Sequence, residues 1–203
     1  MTLSARDTRR RSILAAAARV LAAREAAGMA EVAAAAGIAR GTLYRYFPSR
    51  ESLLRALEAA ASEEAGRRLG EANLDQVPVE EALARATRAL VAVGEDFIVL
   101  LRERRPPEPG FAAPLVALLE RGREGGQIRD DLPLATLVES LLVLIGACVR
   151  TGRAAGMGSE DTSSMALRLF LTGARPAADL TAPVKLRVRA ALRRRGLAPC
   201  GRG

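Results

Sequence analysis

The chain has 203 residues, 49% of them apolar but only 3% aromatic, and a formal net charge of +8. It has no histidine, and its two cysteines, Cys148 and Cys200, lie far apart. The usual neutral-pH base and metal ligand are therefore missing, and a disulfide framework is not expected. Most of the apolar share is Ala, Leu and Val, and no alternating run bounded by turn residues stands out. The expected fold is all-α.

The first predicted helix covers about Asp7 to Arg24, with Ile13, Leu14, Ala17, Val20 and Leu21 on one face. Arg9, Arg10 and Arg11 precede that face and are expected to be free to reach solvent or phosphate. Gly28 interrupts the pattern. A short helix, Met29 to Ala36, turns Val32, Ala33 and Ala36 inward. Gly37 suits the left-handed residue that ends a helix, and Ile38 plugs the turn. Another short helix, Arg40 to Tyr46, precedes Phe47 and Pro48. Ser49 is the candidate N-cap of a long helix from Arg50 to about Gly70, with Glu51 and Ser52 in its first turn.

Further on, Val77 and Pro78 open a helix to about Arg104, broken by the cluster Pro106 to Gly110. Its apolar set is Leu83, Leu90, Val91, Phe97, Ile98 and Leu101. A helix from Phe111 to about Arg123 ends at Gly125 and Gly126. Asp131 is the candidate N-cap of a helix through about Arg153, with Pro133 in its first turn. Ser159 is the candidate cap of a last body helix ending near Gly173. The tail after Pro176 is polar and basic, with one amphipathic stretch from Ala182 to Arg195. The longest strongly apolar run, Leu141 to Val149, falls short of the roughly 20 residues a bilayer span needs. The polar, basic start does not read as a signal peptide. The expectation is a soluble cytoplasmic protein without membrane contact.

Charge is segregated. Residues 1–55 carry ten arginines against four acidic residues, residues 56–174 thirteen arginines against eighteen, and residues 175–203 eight basic residues against Asp179. Two basic ends flanking an acidic body suit a chain whose ends meet a polyanion.

Two short helices joined by a glycine-containing turn form a helix-turn-helix plan, whose second helix enters the major groove. Ile38, Leu43 and Phe47 supply the side that locks this helix down. Arg40, Gly41, Thr42, Tyr44, Arg45 and Tyr46 are left to face outward. Arginine can read guanine in a bidentate way, a tyrosine hydroxyl can donate to phosphate, and Gly41 lets the backbone approach the duplex.

The string AAAAGIARGTLYRYFPSRESLLRAL, residues 33–57, resembles the DNA-binding signature of tetracycline-repressor-like (TetR) regulators. The matching positions are Ala36, Gly37, Gly41, Thr42, Leu43, Tyr44, Phe47, Pro48, Ser49, Arg50, Glu51, Leu53 and Leu54. The resemblance implies a three-helix DNA-binding domain (residues 1–50), a helical ligand-binding and dimerisation domain (51–175) and a basic tail (176–203), with about nine or ten helices in all. It implies Arg40, Gly41, Thr42 and Arg45 as base or groove contacts, and Tyr44, Tyr46 and Arg50 as phosphate contacts. It implies a homodimer on a palindromic double-stranded operator, usually a repressor released by a small molecule, with neither enzymatic activity nor a cofactor.

The chain departs from the family pattern at Gly28 or Met29, where a threonine usually caps the second helix, and at Ala39, where a serine is common. Ala22 stands for the usual phenylalanine near the end of the first helix, and the connection after it is short. Two phosphate contacts are lost, and Arg9, Arg10, Arg11 or the tail are the expected replacements.

In the body, Leu137 to Gly156 is apolar nearly all round. Together with Ser164 to Leu171 it is the expected dimer surface, the helices near 133–154 and 159–173 forming half of a four-helix bundle. Gly146, Ala147 and Cys148 are small enough for close helix approach there. Few aromatics line the body, so an apolar or amphipathic ligand fits best, with its pocket residues unassigned. Glu95 and Asp96 could meet a cationic ligand, although a solvated helix edge is the simpler reading. The competing function is a sequence-tolerant, DNA-coating architectural protein, which the basic ends alone would allow.

Overall fold

Helix-forming stretches cut by glycine and proline yield a purely helical fold among the described residues. The computed structural model describes residues 5–24, 26–97 and 111–175. Among these it contains eight α-helices and a 3-10 turn: α1 (Ala5–Ala23), α2 (Met29–Ala35), α3 (Arg40–Tyr46), α4 (Arg50–Glu71), the turn Leu74–Gln76, α5 (Val79–Asp96), α6 (Ala113–Glu124), α7 (Leu134–Ala154) and α8 (Ser159–Ala174). The Pro106–Gly110 break, Ile98, Leu101 and the basic tail fall outside the described residues.

Two apolar clusters organise the chain. The first joins Ile13, Leu14, Ala17, Ala18 and Leu21 of α1 to Val32 and Ala33 of α2, Leu43 of α3, Phe47, and Leu53, Leu54 and Leu57 of α4. The second collects Ala65 and Leu69 of α4 with the inner faces of α5, α6, α7 and α8. Helix α4 therefore belongs to both, its first half to one cluster and its second half to the other. Phe97 and Ala61 are half-buried against both clusters.

The turn between α2 and α3 is held by backbone geometry. Gly37 has φ +65°. Its N–H donates to the Ala34 carbonyl at 3.1 Å, and the Ile38 N–H to the Ala33 carbonyl at 3.0 Å. This paired closure satisfies two of the end carbonyls of α2 and requires a left-handed residue at position 37. Ser49 caps α4 as expected: its hydroxyl accepts from the Ser52 N–H at 3.1 Å, while the Ser52 hydroxyl accepts from the Ser49 N–H at 3.0 Å.

Several helix starts and ends differ from expectation. Asp131 does not cap α7. Its carboxylate takes both hydrogen bonds of the Arg129 fork at 2.6 Å, and α7 begins after Pro133. Gly158 rather than Ser159 precedes α8 as its cap, and the Ser159 hydroxyl instead donates across to Glu95 Oε2 at 2.7 Å. Helix α5 ends at Asp96, before the expected Arg104.

Helix α7 spans nearly the expected residues but corrects the expectation that this segment is too short for a bilayer. It is continuous for 21 residues and by length and composition alone could cross a bilayer. The apolar run Leu141–Val149 understated it, because Leu134, Leu137 and Val138 extend the helix before that run. Here it packs as a core helix, with Leu137, Val138, Leu141, Ile145, Cys148 and Val149 buried. Gly146 and Cys148 face this protomer's own core, so the expected close approach across a dimer does not involve them. The tight crossing lies instead at Gly152, where a Cβ would meet Thr162 Oγ1 at 2.6 Å.

An ion network ties α4 to α5. Glu64 accepts from Arg67 and Arg68 at 2.6 Å, and Arg68 reaches Asp96 at 2.8 Å. The Arg67 hydrogen bond, aided by Arg68 and opposed by partial burial, lowers the Glu64 carboxyl to about 2. A carboxyl depressed in the folded state stabilises the fold above its unfolded value of about 4.5, and that contribution disappears as pH falls toward 2. Most of this network faces solvent, so the effect is below about 1 kcal/mol. The urea midpoint of Glu64→Gln should therefore fall less than that of the wild type between pH 6 and pH 3, the two curves converging at the acid end.

Candidate nucleic-acid interface

Helix α3 is held by its inner side. Leu43 and Phe47 are buried in the N-terminal cluster, and Ile38 packs on it. That seating leaves Arg40, Gly41 and Arg45 exposed, with Thr42 half-exposed beside them. The outer face is organised by its own side chains. The Arg40 guanidinium stands 5.5 Å from the centroid of the Tyr44 ring, with a long 3.4 Å contact to its hydroxyl. Arg45 approaches the Thr42 hydroxyl at 3.5 Å.

Among the described residues Gly41 has no packing reason. A Cβ there would meet nothing within 4 Å. A glycine in a helix costs about 1 kcal/mol relative to alanine. The cost is unexplained by the protein's interior and is consistent with a surface that something approaches closely.

Other expected contacts are placed differently. Tyr44 and Tyr46 are half-buried rather than fully exposed. The Tyr46 ring lies 6.4 Å from that of Phe47, tilted by 38°. Arg50 donates to the Ala27 carbonyl at 2.8 Å, which commits its guanidinium in part to the loop between α1 and α2. Arg10 stands over the Phe47 ring at 5.5 Å, and Arg11 pairs with Glu63 at 3.1 Å. Both stay exposed to solvent as expected, but each also has a partner in the folded unit, because α1 begins early enough to lay them along it. Sequence reasoning also missed Arg6, which with Arg45 and Tyr46 lines one open depression. Its place on the same side of α1 as Arg10, one turn earlier, was the available signal.

The two departures in capping are visible as geometry. Ala39 precedes α3 without a side-chain cap. At Gly28 the Glu31 carboxylate closes the start of α2 instead, accepting from the Gly28 N–H at 2.8 Å and pairing with Arg24.

The segment holding these helices, residues 13–57, matches the model for "Bacterial regulatory proteins, tetR family". Over 178 residues the chain is 39% identical to the HTH-type transcriptional repressor LfrR of Mycolicibacterium smegmatis, covering 72% of this chain and 93% of the relative. The chain belongs to the tetR family. It is a DNA-binding transcriptional regulator with an N-terminal helix-turn-helix and a C-terminal helical part. A second relative, the HTH-type transcriptional regulator NfxB of Pseudomonas aeruginosa, is 29% identical over 187 residues, covering 86% of this chain and 97% of the relative. The crystal structure of the TetR-like regulator LfrR from Mycobacterium smegmatis in complex with proflavine superposes with a TM-score of 0.68 at 27% identity, covering 84% of this chain and 98% of that one. TetR-family regulators are generally non-enzymatic transcription factors.

The remaining candidates outside the helix-turn-helix are engaged within the protein. Glu95 holds Ser159 and Asp96 holds Arg68, as solvated helix-edge residues do. Cys148 is buried, and burial pushes its thiol up, away from the thiolate a reactive cysteine needs.

Proposed function

We propose that this tetR-family regulator is a cytoplasmic homodimeric repressor that reads a palindromic operator with α3 and is released by a small amphipathic molecule. In this reading Arg40, Gly41, Thr42 and Arg45 meet the groove, and Tyr44, Tyr46 and Arg50 the sugar–phosphate backbone. Residues 1–50 form the DNA-binding domain, 51–175 the ligand and dimer domain, and 176–203 a basic tail, with α4 bridging the first two. The observation that carries it is the outer face of α3: an exposed arginine pair around a helical glycine that no described residue packs against, on a helix anchored by Leu43 and Phe47. Support for the ligand class comes from LfrR, whose crystal structure is of a complex with proflavine. An apolar body with few aromatics is compatible with such a molecule.

The test uses an operator selected from a randomised duplex pool. Arg40→Ala should lower operator affinity by about 1–3 kcal/mol and relax base preference at one position of each half-site. Gly41→Ala should raise thermal stability slightly while weakening operator binding, a split that a purely structural glycine would not give. A selected-to-random affinity ratio below about ten for the wild type would favour the sequence-tolerant alternative, since specific binders usually exceed about 10³.

A further inference from the structure

We propose that Arg6, Arg45 and Tyr46 form one anion site that holds a backbone phosphate of duplex DNA beside the recognition helix. The three side chains line a single open depression between the first turns of α1 and the last turn of α3. Two guanidinium groups and a phenol hydroxyl are donors matched to phosphate oxygens, each guanidinium able to present two parallel N–H groups.

The neighbouring cations have other tasks. Arg10 covers Phe47, Arg11 holds Glu63, Arg24 holds Glu31 and Arg50 holds the Ala27 carbonyl. Among the described residues Arg6 and Arg45 take part in no salt bridge, and the one hydrogen bond of Arg45 is the long contact to Thr42. Both guanidinium groups therefore line a concave site whose described lining contains no acidic residue. Tyr46 is positioned independently of any ligand, because its ring rests against Phe47 and the N-terminal cluster.

Arg6 thus supplies from α1 a backbone contact in a unit whose helix caps, Gly28 and Ala39, have no side chain able to make one. The inference rests on the reading that α3 enters the groove, since only then does the depression meet a strand.

The full-length protein would be titrated with a random-sequence duplex and with the selected operator across a range of salt. Arg6→Gln should weaken both by the same factor, about threefold or more at physiological salt. It should also lower the log–log salt slope by about one per protomer engaged. Arg6→Lys should keep the slope while losing part of the affinity. Arg19→Gln, an exposed α1 residue more than three turns away, should change neither. Wild-type affinity and slope in Arg6→Gln would overturn the phosphate site while leaving the DNA-binding reading intact. A loss confined to the selected operator would also overturn it, because Arg6 would then be reading bases. Failure of the wild type itself to bind duplex would strike the underlying reading instead.

Discussion

Replacing both Val143 and Leu169 by arginine should convert the protein to a monomer of 21.5 kDa and reduce operator affinity by two orders of magnitude or more. These two are the large hydrophobic side chains standing exposed among the described residues, at 64% and 52%. They lie on neighbouring helices. The contact of Gly152 with Thr162 and the hydrogen bond from the Arg129 N–H to the Ala174 carbonyl fix α7 and α8 as an antiparallel pair. That register brings Val143 to about the level of Leu169 and Leu171. Half-buried Leu142, Leu144 and Met165 extend the apolar surface around them. A second copy related by a two-fold axis would cover this face with the same face, closing a four-helix bundle.

Under two-fold symmetry the double substitution introduces four cations into that interface, and an uncompensated buried charge costs several kcal/mol. Neither side chain belongs to the protomer's own core, so each chain should retain its helix content. DNA affinity should still collapse, because two linked half-site readers gain from an effective concentration that a monomer lacks. Sedimentation and operator titration of the same preparation decide the matter. A dimer that persists with full operator affinity would place the two-fold contact elsewhere on the molecule.

What the sequence made legible follows from the range of the forces involved. The bounds of α2 and α3 were readable because local punctuation sets them: Gly37 must be left-handed, and Phe47-Pro48-Ser49 ends one helix and caps the next. The inner residues Leu43 and Phe47 were readable from helical spacing for the same reason. Of the two capping assignments that failed, one lost to a local competitor and the other to a partner far along the chain. Asp131 is drawn to the fork of Arg129, and Ser159 to Glu95, 64 residues away. The basic cluster at the start of α1 was seen as a charge, but its division of labour was not. Which arginine covers Phe47, which pairs with Glu63 and which lines the depression with Tyr46 depends on how α1 lies over α3 and α4. No periodicity encodes that packing. The bounds of α7 were legible too, but its uninterrupted apolar run, taken alone, leaves out Leu134, Leu137 and Val138 and so understates the length available to a bilayer.

Phe47→Ala should destabilise the N-terminal unit by about 3–5 kcal/mol and abolish operator binding while the body stays helical. Phe47 is 2% exposed and sits where α1, α3 and α4 meet. Its ring is also the surface on which Arg10 lies and against which Tyr46 leans. Removal therefore empties a core position in a small cluster and releases two side chains that shape the DNA-facing surface. The second apolar cluster does not contain Phe47, and the junction residues Phe97 and Ala61 are only half-buried. Thermal melting followed by circular dichroism should consequently split into an early transition for α1 to α3 and a later one for the body. A single unshifted transition would show that the two clusters melt as one and that Phe47 contributes little. Phe47→Leu separates packing from the ring's other roles. Its apolar bulk should limit the loss of stability to below about 1.5 kcal/mol. Arg10 would nevertheless lose its aromatic platform and Tyr46 its neighbour, so operator affinity should fall further than the change in stability accounts for.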